Sequence, residues 1–173
     1  MKKVLLVLLT ALTAACAFPQ TREEFVKAIR GGAGLSSYEE VTVNESLKST
    51  LARLEQPLKT CLNVTINVYA VNSGGARIGG ITTTTYRTKM ETKGNGKAAL
   101  TMQATHGSMI GSSPPGGIYE VAVDFEAVGG NKTKAVIYSG RSGLSDLVQA
   151  LKSWMSGRPA ECSLTKGAKP KSS

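Results

Sequence analysis

Histidine, aspartate and cysteine are scarce in this sequence, and their scarcity limits the chemistry it can perform. The 173 residues include one histidine, two aspartates and three cysteines: His106, Asp124, Asp146, Cys16, Cys61 and Cys162. A Ser–His–Asp triad would have to use His106, and Gly107 to Gly111 lacks the spacing of a nucleophile elbow. A zinc site needs three or four nitrogen, sulfur or carboxylate ligands, and the glutamates show no ligand spacing. We therefore predict no metal and no cofactor, and a hydrolase using His106 is kept as an alternative function.

The sequence also lacks an apolar run long enough to cross a membrane as a helix. Its main apolar run, from Val4 to Leu12, falls well short of the roughly 20 residues that a span requires. The run follows the basic pair Lys2 and Lys3 and precedes small residues, which is the three-part pattern of an export signal. We predict a signal peptide over residues 1–15 and a protein that works outside the cytoplasm.

The end of this signal carries the one family resemblance in the chain. Leu12-Thr13-Ala14-Ala15-Cys16 resembles the lipobox of bacterial lipoproteins, in which the cysteine is diacylated and becomes the first residue of the mature protein. The resemblance implies a palmitate-type lipid on Cys16, with residues 16–20 as the tether to the membrane. Ala17, rather than an aspartate, follows the cysteine, which implies an outer-membrane lipoprotein that faces the periplasm. The alternative is ordinary cleavage after Ala17, which would give a secreted or soluble periplasmic protein.

Cys61 and Cys162 are the two cysteines that remain once Cys16 is lipidated or removed. An even remainder in an oxidising compartment favours a disulfide, and we expect their Cα atoms to lie about 4.4 to 6.8 Å apart. Two independent buried thiols are the alternative.

Positive charge exceeds negative charge in this chain. The net charge is +9, and removal of Lys2 and Lys3 leaves +7. For an exported protein this indicates an anionic envelope surface or an envelope protein as partner, and we predict no nucleic-acid partner. Residues 164–173 combine lysines with Gly, Ala, Pro and Ser, so we predict a disordered basic tail there.

Two helix patterns precede the main strand patterns. Thr21 and Glu24 form a capping box at the start of the first helix. After a short strand at 38–43, Asn44 is expected to cap a second helix with an apolar stripe of Leu47, Leu51, Leu54, Leu58 and Cys61. Pro57 should kink or end this helix near Gln56, because proline lacks the N–H that the helix needs.

Alternation with a period of two then predicts five strands, at about 62–70, 81–91, 98–104, 119–127 and 133–137. In the fourth strand, Tyr119, Val121, Val123, Phe125 and Ala127 should face one way, and Glu120, Asp124 and Glu126 the other. A final helix, capped by Ser142 or Ser145, has an apolar face that ends at Trp154. We predict an α+β domain over residues 21–163. Its antiparallel meander sheet of five to six strands would be packed on one face by the N-terminal helices and the C-terminal helix, similar to helix-grip folds.

The longest loop between two predicted strands runs from Thr105 to Gly117. Hairpin loops usually need two to five residues, and longer loops are often functional. This loop contains two apolar residues among small ones and a stiff Pro-Pro pair, so it is the candidate partner-binding site: His106, Met109, Ile110, Pro114 and Pro115. The alternative is a loop that folds back over the open end of the sheet.

These observations favour a lipid-anchored protein of the cell envelope that acts without catalysis, as a binding or assembly module. Its partners would be the membrane, through the anchor, and an envelope protein or anionic envelope surface. A second reading is a carrier that holds an apolar ligand between the sheet and the C-terminal helix. A cavity behind Trp154 would favour the carrier, and an acidic group beside His106 would favour the hydrolase.

Overall fold

The computed structural model describes residues 18–69, 81–107 and 113–165, and these ranges contain three α-helices and six β-strands. In chain order they are α1 (Arg22–Arg30), β1 (Ser37–Val43), α2 (Leu47–Thr60), β2 (Thr65–Tyr69), β3 (Ile81–Gly94), β4 (Lys97–Gly107), β5 (Ile118–Val128), β6 (Lys132–Ser139) and α3 (Ser145–Met155). Short 3₁₀ turns occupy Ser142–Leu144 and Ser163–Thr165. In the second turn, Leu164 packs against the core.

All six strands belong to one antiparallel sheet in the order β1-β6-β5-β4-β3-β2. Strands β2 to β6 form a meander, and β1 pairs with β6 so that Ser37 lies opposite Ser139. The turns before β4 and β6 place Asn95 and Asn131 at positive φ, a conformation that asparagine tolerates better than most residues. The predicted fold class, an α+β domain built on an antiparallel meander sheet, is confirmed.

One face of the sheet packs against α2 and α3 and forms the main core. Leu54 from α2 and Leu151 and Trp154 from α3 are buried in it. The strands contribute alternate side chains: Ala98, Leu100, Met102, Ala104, Val121, Val123, Phe125, Ala135 and Ile137. Burying each Val- or Leu-sized side chain is worth about 1.5 to 3 kcal/mol, so this face supplies most of the apolar stabilisation.

Helix α1 lies on the opposite face of the sheet, whereas the sequence pattern placed both N-terminal helices on one face. Its buried residues Phe25 and Ile29 pack against Ala122 and Tyr138 in a second, smaller core cluster. The predicted capping box is present, since the Thr21 hydroxyl accepts from the Glu24 N–H. Helices α2 and α3 already cover the first face, so α1 covers the apolar patch on the second.

Helix α2 continues through Pro57 to Thr60, so of the predicted kink or end near Gln56, the end does not occur. Proline in a helix interior costs about 3 kcal/mol because one hydrogen bond is lost. Here Leu58 packs against the core, and the N–H groups of Cys61 and Leu62 both donate to the Pro57 carbonyl. These tertiary and capping contacts offset the local cost and hold the last turn.

The helix caps also differ from the predicted ones. Ser46, not Asn44, is the N-cap of α2, and its Oγ accepts from the Ser49 N–H at 3.1 Å. No side chain caps α3, since Ser142 starts the preceding 3₁₀ turn and Ser145 is already the first helical residue.

Cys61 and Cys162 have the geometry of a disulfide, as the cysteine count predicts. Their Cα atoms are 5.5 Å apart, and the sequence separation is 101 residues. Cys61 lies in the core at the end of α2, so the bridge fastens the segment after α3 to the base of the sheet. Within the described ranges, no helix is long and apolar enough to cross a membrane.

Candidate functional site

The structure describes three of the five predicted loop residues: His106, Pro114 and Pro115. Met109 and Ile110 lie outside the described residues, as does the predicted lipidation site Cys16. The loop can therefore be built from its two ends, which are the last residues of β4 and the turn that leads into β5.

The two ends of the loop are joined at His106. Its backbone N–H donates to Ser113 Oγ at 2.7 Å, so the chain leaves β4 and returns at one point. Its ring Nδ1 lies 3.0 Å from Thr84 Oγ1 on the neighbouring strand β3. Because the side chain is hydrogen-bonded and half-buried, His106 acts here as part of the loop's base.

The returning chain makes a tight turn from Pro114 to Gly117. The Gly117 N–H donates to the Pro114 carbonyl at 2.9 Å. Gly117 has φ +88°, and a Cβ at this position would lie 2.8 Å from the Ala104 carbonyl oxygen. Only glycine lets the loop return this close to β4, and Pro115, exposed at the corner, restricts the turn further.

Below this base, polar side chains line the open end of the main core. His106 and Thr84 continue the alternation of Ala104 and Tyr86, which lie opposite each other in the core cluster. Side chains two residues apart on a strand share a face, so His106 and Thr84 lie on the α2–α3 side of the sheet. The apolar core thus ends in a hydroxyl–imidazole pair beside the two described ends of the loop.

A β-bulge places a buried carboxylate beside the same end. Between Met102 and Gln103 the β4–β5 register shifts, and Glu120 is the extra residue on β5. Its side chain is only 7% exposed, and one carboxylate oxygen accepts from Arg141 Nε at 2.7 Å. Arg141, which follows β6, is half-exposed, so the buried carboxylate is paired with a guanidinium that water can reach.

The pKa of Arg141 is raised above its ordinary value. Burial lowers this pKa, but the hydrogen bond and the charge of Glu120 outweigh burial, and Tyr86 raises it further through charge and a hydrogen bond. The guanidinium therefore remains charged beside the Glu120 carboxylate at this end of the sheet.

Glu120 and Arg141 are site residues that the sequence did not predict. Period-two alternation placed Glu120 with Asp124 and Glu126 on the polar side, and Tyr119 with Val121 on the apolar side. The bulge reverses this assignment, since Tyr119 packs with Phe25 on the α1 side and Glu120 is buried. No signal in a single sequence marks the bulge, because the run from Tyr119 onward alternates without interruption.

The two aspartates lie away from His106. Asp124 lies on the α1 side of the sheet, where its Oδ1 is 2.6 Å from Arg22 Nη2. Asp146 lines a small groove between α3 and the segment around Ala160. The hydrogen bonds described for His106 go instead to a hydroxyl of Thr84 and a hydroxyl of Ser113.

Metal-ligating residues do not assemble within the described ranges. No group of three or more His, Cys, Asp or Glu side chains in that part of the chain could hold a metal ion.

A carrier would need space behind Trp154. That side chain is buried, and its Nε1–H donates to the Ala160 carbonyl at 3.1 Å. The larger groove described for the molecule, about 610 Å³, lies on the α1 side of the sheet instead. Two of its lysines are paired across strands, with Lys134 Nζ 2.8 Å from Glu40 and Lys97 Nζ 3.2 Å from Glu126.

Comparison with known proteins adds no assignment to this geometry. No family model matches the chain, and no curated protein is significantly similar to it in sequence.

Proposed function

We propose that this protein is a lipid-anchored module of the cell envelope that binds a partner protein through the loop from Thr105 to Gly117 and carries out no catalysis. The lipobox-like segment that ends at Cys16 supports the anchor. The paired Cys61 and Cys162 support an oxidising compartment, in which disulfides persist.

The base of the loop is the single observation that carries the binding proposal. The His106–Ser113 hydrogen bond and the Pro114–Gly117 turn fix both ends of the segment. A segment fixed at both ends loses less conformational entropy on binding than a free loop of the same length, so less binding energy is spent on ordering it. The two largest apolar side chains of that segment, Met109 and Ile110, are its natural contact residues.

The loop is tested by the double variant Met109→Ser with Ile110→Ser. Burying both side chains on a partner would contribute about 3 to 5 kcal/mol before ordering costs. The variant should therefore lose partner capture from native envelopes but keep the melting temperature of the parent. Site-specific photo-crosslinking from position 109 should identify the captured protein.

Leu35→Ser is the matched control, because Leu35 is the most exposed large apolar residue of the described chain, at 77%, and lies outside the loop. It should leave capture unchanged. If the double variant instead melts several degrees lower, Met109 and Ile110 belong to the core and the loop is not the binding site.

The anchor is tested separately, by metabolic labelling with a palmitate analogue. The intact protein should take up the label and fractionate with the outer membrane, and Cys16→Ser should abolish both. A mature chain that begins at an unmodified Phe18, detected by mass spectrometry, would contradict the anchor without affecting the loop.

A further inference from the structure

The excess positive charge of the described chain comes from one hairpin. Strands β3 and β4 carry four cations against the single carboxylate of Glu91: Arg87, Lys89, Lys93 and Lys97. In the rest of the described residues, positive and negative side chains balance. The hairpin is therefore the part of the described structure with a net electrostatic attraction for an anionic partner.

These four cations, here named the basic face, are exposed on the side of the sheet that carries α1. Arg87 and Lys89 lie opposite Gln103 and Thr101, whose neighbours Met102 and Leu100 point into the main core. Lys93 and Lys97 line the groove on the same side. Arg87 and Lys89 are two strand residues apart, about 7 Å, and Lys93 follows four residues further along β3.

The charges of this face act on one another and are only partly neutralised. Lys89 pairs with Glu91, and the pKa of Glu91 is lowered by this hydrogen bond, by the charge of Lys89 and further by Lys93 and Arg22. Lys97 pairs with Glu126. Among the described residues, Arg87 and Lys93 form no ion pair.

The start of α1 brings the proposed lipid anchor to this same side. Arg22 donates to the Val123 carbonyl and to Asp124 Oδ1, on the α1 side of β5. Cys16 precedes Arg22 by six positions, and an extended chain spans at most about 3.6 Å per residue. A lipid on Cys16 would therefore be tethered within about 22 Å of Arg22, whose side chain lies on the α1 side of the sheet.

We propose that the basic face lies against an anionic phospholipid bilayer and binds its phosphate headgroups electrostatically. A lipid on Cys16 would place the face there, so the orientation rests on the proposed anchor. The attraction itself needs only the exposed cations. A diacylated cysteine already anchors a chain stably, and attraction of the basic face to anionic headgroups would add to this attachment and orient the domain on the bilayer.

The experiment uses the mature chain from residue 16 with Cys16→Ser, so that no lipid contributes. Co-sedimentation is measured with vesicles of equal parts phosphatidylglycerol and phosphatidylcholine, and with phosphatidylcholine alone, at low and high ionic strength. The triple variant Lys89→Gln, Lys93→Gln and Lys97→Gln is compared with a control of equal charge loss on the opposite side of the molecule, Lys48→Gln, Lys59→Gln and Arg158→Gln.

We expect binding to the anionic vesicles only, and weaker binding at high salt. Each cation near an anionic surface is worth about 1 kcal/mol, about a fivefold change, so the basic-face variant should bind roughly 100-fold more weakly. The control should bind within a few-fold of the parent. Equal losses in both triple variants, or parental binding by the basic-face variant, would overturn the proposal. Palmitate labelling is independent of this result, so failure of the anchor and failure of the basic face are distinguishable.

Discussion

The two partners of the Glu120–Arg141 ion pair should differ in how much stability the domain loses when each is replaced. The Glu120 side chain is 7% exposed, whereas that of Arg141 is 48% exposed. Arg141→Met removes the only ion-pair partner described for a buried carboxylate. Glu120→Gln leaves a guanidinium that water can reach. The first change should therefore cost much more stability than the second.

Breaking a buried ion pair by removing one partner costs about 3 to 5 kcal/mol. Solvent screening at the half-exposed Arg141 places Arg141→Met near the lower end, about 3 kcal/mol. Glu120→Gln conserves volume and loses a charge-assisted hydrogen bond, which is worth about 1.5 kcal/mol. The double variant should be more stable than Arg141→Met alone, because no charge then remains buried.

Urea unfolding of the four proteins gives these free energies, provided that the slope of unfolding free energy against denaturant stays constant. In a domain of this size, 1 kcal/mol corresponds to about 2 to 4 °C, so Arg141→Met should lower the melting temperature by roughly 6 to 12 °C. The reasoning is refuted if Arg141→Met costs no more than Glu120→Gln, or if the double variant shows no recovery.

Two further predictions concern the disulfide and the loop base. Cys61→Ala should lower thermal stability under oxidising conditions, by up to about 4.7 kcal/mol for a loop of this length, and much less with reductant present, as scanning calorimetry would show. Gly117→Ala should cost at least about 1 to 2 kcal/mol in urea unfolding, because of its positive φ and the contact with the Ala104 carbonyl. Gly129→Ala, where a Cβ would meet no atom within 4 Å, should be close to neutral; equal effects of the two changes would contradict this account.

The sequence predicts most of the fold because its strands are locally consistent. In β4 the alternating apolar residues from Ala98 to Ala104 are all buried as predicted, although Ala99 between them is buried too, and the Gly-Asn patterns predict the turns at Asn95 and Asn131. These features depend on neighbours in the chain, which a single sequence displays directly.

Elements whose state depends on tertiary contacts are less predictable. Local chemistry at Pro57 favours a helix break, but packing of Leu58 and the disulfide at Cys61 hold one more turn. The amphipathic pattern of α1 shows that Phe25 and Ile29 are buried, yet it cannot say on which face of the sheet, since both faces offer apolar side chains.

The candidate site is the least predictable part because it depends on a single extra residue. Alternation from Tyr119 to Phe125 is unbroken in the sequence, so no local pattern separates a regular strand from a bulged one. The pairing of β5 with β4 decides between a regular and a bulged strand. Met102 lies opposite Val121 and Gln103 opposite Tyr119, so Glu120 has no partner on β4. A regular pairing would turn Tyr119 toward the main core and Glu120 toward α1, where Phe25 needs an aromatic neighbour. The bulge stacks Tyr119 on Phe25 and so packs α1 against the sheet. The same change of register brings the Glu120 carboxylate to Arg141, which places an ion pair at the open end of the core.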